Sequence, residues 1–360
     1  MNWLLSLFVL GNLALPAHPT LDIYWIDVEG GAATLIVTPA GESVLIDAGE
    51  NVEGGEQPDR DALRVYRVAT KVAHLKQIDH MVVTHFHSDH MGGIVKLSQL
   101  IPIKHYYDHG TADVAVEPYT NNKLLPLYKQ ITQGRSKVLQ PGDRVPLRRD
   151  SNAPPLEIRC LASGGRFGPS SPGSSPNPVC SRQDSRPEDP SDNARSLVLL
   201  LKYGTFTFFD GGDLTWQNEG RLVCPTNRAG TVVLMQIDHH GLDQSNNPVL
   251  IESLQPRVVV VNNGPKKGAE INTMRTLRSV SSIETVWQVH RNLAPGFELN
   301  ADAQFIANES AQCKGEFIKA SAHPDGTFSV QIGPSGPPKV YGPKPAARRF
   351  SPPAAPGRCV

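Results

Sequence analysis

Four side chains of metal-ligand type fall within six residues of this 360-residue chain, in His85-Phe86-His87-Ser88-Asp89-His90. The run follows the apolar stretch Met81-Val82-Val83 and precedes residues 91–100, which read as a helix. Side chains alternate in an extended backbone, so His85 and His87 turn the same way. The turn into the helix carries Asp89 and His90 round to a second position. Imidazole nitrogen and carboxylate oxygen are the donors that Zn²⁺ and similar borderline ions select. Burying four such groups together with no ion costs heavily in desolvation, so the cluster points to metal binding.

The loop needs a strand before it and a helix after it, and the pattern supplies that pairing repeatedly. Residues 21–28, 32–38 and Ser43–Ile46 are short β-type runs separated by Gly30-Gly31 and Pro39-Ala40-Gly41. Residues 59–76 carry apolar side chains at helical spacing, with Asp59 as the cap. Strands follow at 81–83 and 103–107. Residues 163–195 are rich in Ser, Pro and Gly and read as a flexible, solvated insertion. After it come strands at 197–202 and 205–209, a helix at 215–221 and a strand at 232–237. A helix at Pro248–Leu254, a strand at 257–261 and a helix at 270–280 complete the pattern. Two halves of similar rhythm predict an α/β fold in which two αβ layers face one another.

Composition narrows the function. Thirty-five Lys+Arg balance 35 Asp+Glu, which argues against attachment to nucleic acid or anionic lipid by bulk charge. With 31 Gly and 31 Pro the chain is loop-rich, unlike a helical bundle. The five cysteines (160, 180, 224, 313 and 359) contain no CxxC pair, which argues against a cysteine-built zinc site. Residues 1–20 hold one apolar run, too short to span a bilayer, ending in Leu15-Pro16-Ala17. They read as a cleaved signal peptide without a basic n-region, leaving no transmembrane segment in the mature chain and a periplasmic or secreted location. An exported chain permits a disulfide, and Cys160 and Cys180 could pair across their loop, with the pairing left open. Residues 333–360 are Pro-rich and basic, and are expected to be mostly disordered.

Thr84-His85-Phe86-His87-Ser88-Asp89-His90-Met91-Gly92-Gly93 resembles the HxHxDH signature of the metallo-β-lactamase fold superfamily. Leu45-Ile46-Asp47-Ala48-Gly49, Phe209-Asp210-Gly211-Gly212-Asp213-Leu214 and Asp238-His239-His240-Gly241 resemble its other motifs, in the same order. The opening Ile26-Asp27-Val28-Glu29-Gly30-Gly31, with Ser196-Leu197-Val198-Leu199-Leu200, is similar to the branch holding the extracytoplasmic hydrolase domain of ComEC-type competence proteins. The resemblance implies a four-layer αββα sandwich over residues 21–332. It implies one or two ions, Zn²⁺ or Mn²⁺, held by His85, His87, Asp89, His90, Asp213, His239 and His240, without deciding between the last two. Asp213 would bridge the ions, Asp89 would also orient the nucleophile, and Asp47 would support the ligands from behind. The chemistry implied is hydrolysis by a metal-activated hydroxide. The substrate would be a phosphoester or nucleic-acid-type molecule, with no stable nucleic-acid complex. A lactam, lactone or other acyl substrate is the alternative, and a catalytically silent metal-fold binding domain is a third reading.

Many superfamily members supply a further histidine between the first motif and the bridging Asp. Here no histidine occurs between His109 and His239, and Asp192-Asn193-Ala194-Arg195-Ser196 stands in its place. Asp192, Asn193 or water is then expected to complete a weaker first site, with His109 the next candidate. Asn262-Asn263-Gly264-Pro265-Lys266-Lys267-Gly268 is either a solvated turn or a turn presenting amides and cations to an anionic substrate. His109, Asn193, Asn263 and Lys266 are the substrate-facing candidates. Gly30-Gly31 either makes a plain hairpin turn or lets backbone approach the site.

Overall fold

Alternation along single strands sorts the apolar residues onto two faces. The computed structural model describes residues 20–51, 57–110, 116–149, 154–170 and 175–343. All of the expected signal segment except Thr20, and the end of the tail from residue 344, lie outside the described residues. The first half contains β1 (Leu21–Trp25), β2 (Thr34–Val37), β3 (Ser43–Ile46), α1 (Arg60–Arg67), β4 (Ile78–Val82), α2 (Ser88–Met91), α3 (Ile94–Leu100), β5 (Ile103–Asp108), α4 (Leu125–Thr132) and β6 (Lys137–Val138). Then come β7 (Leu156–Ser163), β8 (Arg166–Phe167), β9 (Val198–Tyr203), β10 (Phe206–Asp210), α5 (Trp216–Val223), β11 (Leu234–Gln236), α6 (Pro248–Leu254), β12 (Val258–Val261) and α7 (Ile271–Ser279). The chain ends with β13 (Thr285–His290), β14 (Ile306–Asn308), β15 (Ile318–Ala322), β16 (Phe328–Ile332) and β17 (Lys339–Tyr341).

One sheet runs β17-β16-β15-β1-β2-β3-β4-β5-β6 and the other β14-β13-β12-β11-β10-β9-β7-β8. Leu21, Ile23 and Trp25 of β1 meet Phe206 and Phe208 of β10 and Val258 and Val260 of β12 between the sheets. Trp25 and Phe208 pack edge to face at 5.6 Å. Leu45 and Met81, on the outer face of the first sheet, pack with Val65 and Leu97 of its helices. Val259 and Val261 do the same for α6 and α7, through Leu250, Leu254, Met274 and Leu277. The result is the αββα sandwich. Each such buried side chain contributes about 1.5–3 kcal/mol of transfer free energy, so register is fixed on both sides of both sheets.

Strands β3, β4 and β5 are parallel, as are β10, β11, β12 and β13. Their carboxyl ends carry the loops with the motif residues, the place where α/β sheets bind ligands.

Some expectations change. The helix expected over residues 59–76 is α1 followed by a π-type turn, Val68–Val72. Val68, Thr70 and Val72 in that turn are β-branched and stiff in a tight helix. The helix expected over 91–100 breaks at Gly92-Gly93 between α2 and α3. The solvated insertion is partly built in: Cys180 is bonded to Cys224 at the end of α5, and the Trp216 Nε1–H donates to Asp184 O at 3.0 Å. Cys160, which could have paired with Cys180, is instead buried on the inner face of β7 and free. The tail expected to be disordered from Gly333 includes β17, paired to β16. Its Tyr341 is buried, stacks on Phe328 at 4.7 Å and accepts a hydrogen bond from Trp287 Nε1 at 3.0 Å.

Candidate metal centre

Strand ends and short turns deliver the ligand-type residues to one point. Asp47 follows β3 with φ +58°, and Thr84 and His85 lie two and three residues past β4. Asp213 follows β10 after Gly211-Gly212, and His239 and His240 follow β11. His239 and His240 both adopt left-handed backbone, φ +51° and +56°. Such residues cost about 1–3 kcal/mol each, and such strain clusters at functional sites. The close fit continues at Gly268, φ +84°, where a Cβ would stand 2.1 Å from His240 O. At Gly31 a Cβ would stand 2.2 Å from Asp89 O. The Gly30-Gly31 turn thus brings backbone against the cluster, and Ala32 N–H donates to Asp89 O at 3.1 Å.

Asp213 Oδ2 is the focus. It lies 3.1 Å from His90 Nε2, 3.3 Å from His240 Nε2, 3.4 Å from His239 Nε2 and 3.9 Å from His85 Nε2. Asp89 Oδ2 stands 3.3 Å from His240 Nε2 and 3.6 Å from His90 Nε2. Asp89, His90, Asp213 and His240 hold their ligand atoms within 4.8 Å of one another. His239 and His240 are both in the cluster, on different sides: His240 with Asp89 and His90, His239 next to Asn193. His87 is half-buried at its mouth, its ring 4.7 Å from that of His85.

Hydrogen bonds behind the rings test whether a cation fits. Asp47 accepts from Thr84 N–H (2.8 Å), from Thr84 Oγ1–H (2.7 Å) and from His90 Nδ1–H (2.7 Å). His85 Nδ1 lies 3.1 Å from the same Thr84 hydroxyl, whose proton is committed to Asp47, so His85 donates. His239 Nδ1 is 3.1 Å from Ser245 Oγ. These partners commit the Nδ1 side of each ring and turn Nε2 toward Asp213. His85 Nε2 is buried with no hydrogen-bond partner, and His90 Nε2 faces His240 Nε2 at 3.2 Å. Bare nitrogen lone pairs around a carboxylate oxygen repel unless protons or a cation lie between them. The donor set fits one or two divalent ions.

Electrostatics agree. Burial holds His85 well below its ordinary pKa and lowers His239 to about 4, so both are neutral with lone pairs available. Burial would depress His90 too, but Asp213, Asp89 and Asp47 lift it well above the usual range. Burial would raise Asp213, and His240, His90 and His239 instead hold it well below the carboxylate range. Asp89 is likewise held down, by His90, His240 and Lys267 against its burial. A pocket of ionised carboxylates that traps a proton on histidine is one that attracts a metal cation.

The remaining candidates divide. Asp192 does not face the cluster: its Oδ2 accepts from Phe86 N–H at 2.8 Å and bonds His109 Nε2 at 2.9 Å. His109 is therefore a support for the loop between His85 and His87, not a group open to substrate. Asn193 is the one that reaches in, with Nδ2 3.3 Å from His239 Nε2 and Oδ1 buried and unpaired. Asn263 is turned away, its amide donating to Gly264 O and His290 O. Lys266 is exposed, whereas its neighbour Lys267 forms an ion pair with Asp89 Oδ2. The sequence contained that cation, but only the turn closing at Gly268 selects which lysine points inward. Two supporting hydroxyls were also missed: Thr84 opens the first histidine stretch without being a metal-ligand type, and Ser245 lies five residues past His240, outside the quoted motifs.

Residues 26–185 match the family described as the metallo-β-lactamase superfamily. Recombination protein 2 of Haemophilus influenzae is 24% identical over 270 residues, 74% of this chain and 27% of that protein. ComE operon protein 3 of Bacillus subtilis is 23% identical over 256 residues, 68% of this chain and 28% of that protein. The chain thus spans little more than a quarter of the length of these curated relatives. Among solved structures, CmlA, a diiron β-hydroxylase from Streptomyces venezuelae, is 14% identical with a TM-score of 0.37, covering 68% of this chain and 45% of that one. MEM-A1, a subclass B3 metallo-β-lactamase from a soil metagenome library, is 11% identical with a TM-score of 0.32, covering 76% and 77%. From Ile26 to Ser185 the chain is similar to the metallo-β-lactamase superfamily, and its two facing sheets with outer helices form an αββα sandwich.

Proposed function

We propose that the chain is a metal-dependent hydrolase of phosphoesters. The observation that carries this is the convergence of four imidazole nitrogens on Asp213 Oδ2. Asp89, His90 and His240 would hold one divalent ion with Asp213. His85, His87 and His239 would hold the other, with Asn193 beside them. Zn²⁺ and Mn²⁺ are the ions of choice for this nitrogen and oxygen set. Bound there, divalent ions supply a water acidified toward neutral pH and polarise the oxygen of the scissile group. The protein's own part is orientation. Asp47 and Thr84 hold the His90 and His85 rings, and Asp89 would be placed to accept a hydrogen bond from a water in the centre. Lys267 places an ammonium at the mouth of the cluster, where an anionic phosphoryl oxygen can replace Asp89 as its partner.

That ammonium favours a phosphoester over an uncharged lactam or lactone, which gains less from it. The names of the two relatives, a recombination protein and a competence-operon protein, agree with a nucleic-acid-type phosphodiester. The test is a metal-reconstituted assay on bis(p-nitrophenyl) phosphate, nitrocefin and a lactone. Hydrolysis of the phosphodiester, abolished by chelation, is expected. Lys267→Ala should lower kcat/KM for it by about 10–100-fold, the worth of one hydrogen bond to a charged group. Turnover of nitrocefin or lactone with no phosphodiesterase activity would overturn the substrate assignment.

The proposal places the enzyme outside the cytoplasm, after cleavage near Ala17. No helix of the described residues is long and apolar enough to cross a membrane. N-terminal sequencing of protein from its native host should find a start just past Ala17, and a chain beginning at Met1 would refute cleavage.

A further inference from the structure

Three residues with no motif in common meet away from the histidine cluster. Asp27 lies two residues past β1 in one sheet, and His290 ends β13 in the other. Cys313 sits in the connection from β14 to β15, where the chain crosses between the sheets. Their ligand atoms lie within 4.8 Å of one another. Asp27 and His290 are fully buried, and Cys313 is half-buried. The Cys313 thiol contacts Asp27 Oδ2 at 3.2 Å.

The histidine decides what this cluster does. His290 Nδ1 is 3.0 Å from Arg291 O, and a carbonyl only accepts, so Nδ1 carries the proton. Nε2 is then a bare lone pair, and it is buried with no hydrogen-bond partner. A ring whose far nitrogen donates to a backbone carbonyl is the usual posture of a metal-bound histidine. A nucleophilic triad does not fit, because there the carboxylate would orient the histidine, whereas Asp27 bonds the thiol instead. Asp27 is itself held, with Oδ1 accepting from Glu29 N–H and Oδ2 from Arg64 at 3.0 Å. Arg64 also reaches Glu29 and stands 3.7 Å from Cys313 Sγ. At the thiol itself Asp27 and Arg64 pair one to one. A thiolate there adds a negative charge that an entering divalent cation would balance.

We infer that Asp27, His290 and Cys313 form a second metal site, taking a borderline-soft divalent ion such as Zn²⁺ with one sulfur, one nitrogen and one oxygen donor. Ligand atoms around a tetrahedral zinc stand about 3.4–3.6 Å apart. The Cys313–Asp27 pair is already near that spacing, and a small closure by His290 completes it. Binding transfers the thiol proton to solvent, and the half-buried Cys313 side gives the ion its entry path. The ion would tie the two sheets together at the crossover.

Cobalt substitution separates this site from the histidine cluster, which has no sulfur donor. The full chain loaded with Co²⁺ should show a near-ultraviolet thiolate-to-cobalt charge-transfer band. Cys313→Ser and His290→Gln should each lose that band and about one equivalent of bound metal. Both should keep the cobalt bands and the hydrolytic activity of the histidine cluster, while Cys359→Ser should keep everything. Zinc should raise the thermal midpoint of the wild type more than that of Cys313→Ser, a readout that also reports whether each variant folds. A wild type that binds cobalt without a charge-transfer band, or a band that survives in Cys313→Ser, would overturn the site.

Discussion

Asp213→Asn is expected to strip the histidine cluster of metal while leaving the fold intact. The substitution keeps the shape of the side chain and removes the charge that four imidazole nitrogens face at 3.1–3.9 Å. That charge is firmly held, because His240, His90 and His239 keep Asp213 ionised despite complete burial. Loss of a partner that merely supports a ligand costs about 10–100-fold in metal affinity or activity, so loss of Asp213, if it is the shared ligand proposed above, should cost at least the upper end. Phosphodiester hydrolysis should fall by at least the same factor. Asp213 N–H still donates to Ser196 Oγ at 3.1 Å, so the local backbone keeps its anchor. Elemental analysis, circular dichroism and kinetics on the same preparation check this. An asparagine variant with a full metal complement and undiminished rate would remove Asp213 from the centre.

Much of this was readable because it is local. The β–loop–α rhythm shows in the apolar periods, and the His85–His90 run needs only one strand end to focus it. What escaped reading depends on phase or on distance. Cys160 cannot meet Cys180, because β7 alternation turns its side chain into the core between the sheets. Lys266 and Lys267 are indistinguishable in composition, and the left-handed turn at Gly268 selects the second. The strand Lys339–Tyr341 sits in a Pro-rich basic stretch, and one buried tyrosine against Trp287 and Phe328 outweighs that composition. Asp27, His290 and Cys313 come from three segments whose meeting is set only by sheet order.

The same dependence on phase governs the place of the missing histidine, where one residue of offset reverses the outcome. Asp192 and Asn193 share a single 3₁₀ turn, in which successive side chains point about 120° apart. Asp192 is spent on Phe86 N–H and His109, and Asn193 reaches His239. An amide is a poorer metal ligand than imidazole, so the ion on the His85, His87 and His239 side should leave first under chelation. Asn193→His should tighten that position by about 10–100-fold, the range by which a single ligand partner shifts affinity. Asp192→His should do the opposite. It removes an acceptor from a buried amide and a buried imidazole, costing about 1–3 kcal/mol for each group left unpaired. It also frees the loop at Phe86, between two of the ligands. Stepwise chelator titration, following bound metal and hydrolysis together, tests all three proteins. The expected order of retention at the first position is Asn193→His, then wild type, then Asp192→His. Identical release curves for the two histidine variants would mean that this turn does not address the metals, and that the weaker site lies elsewhere.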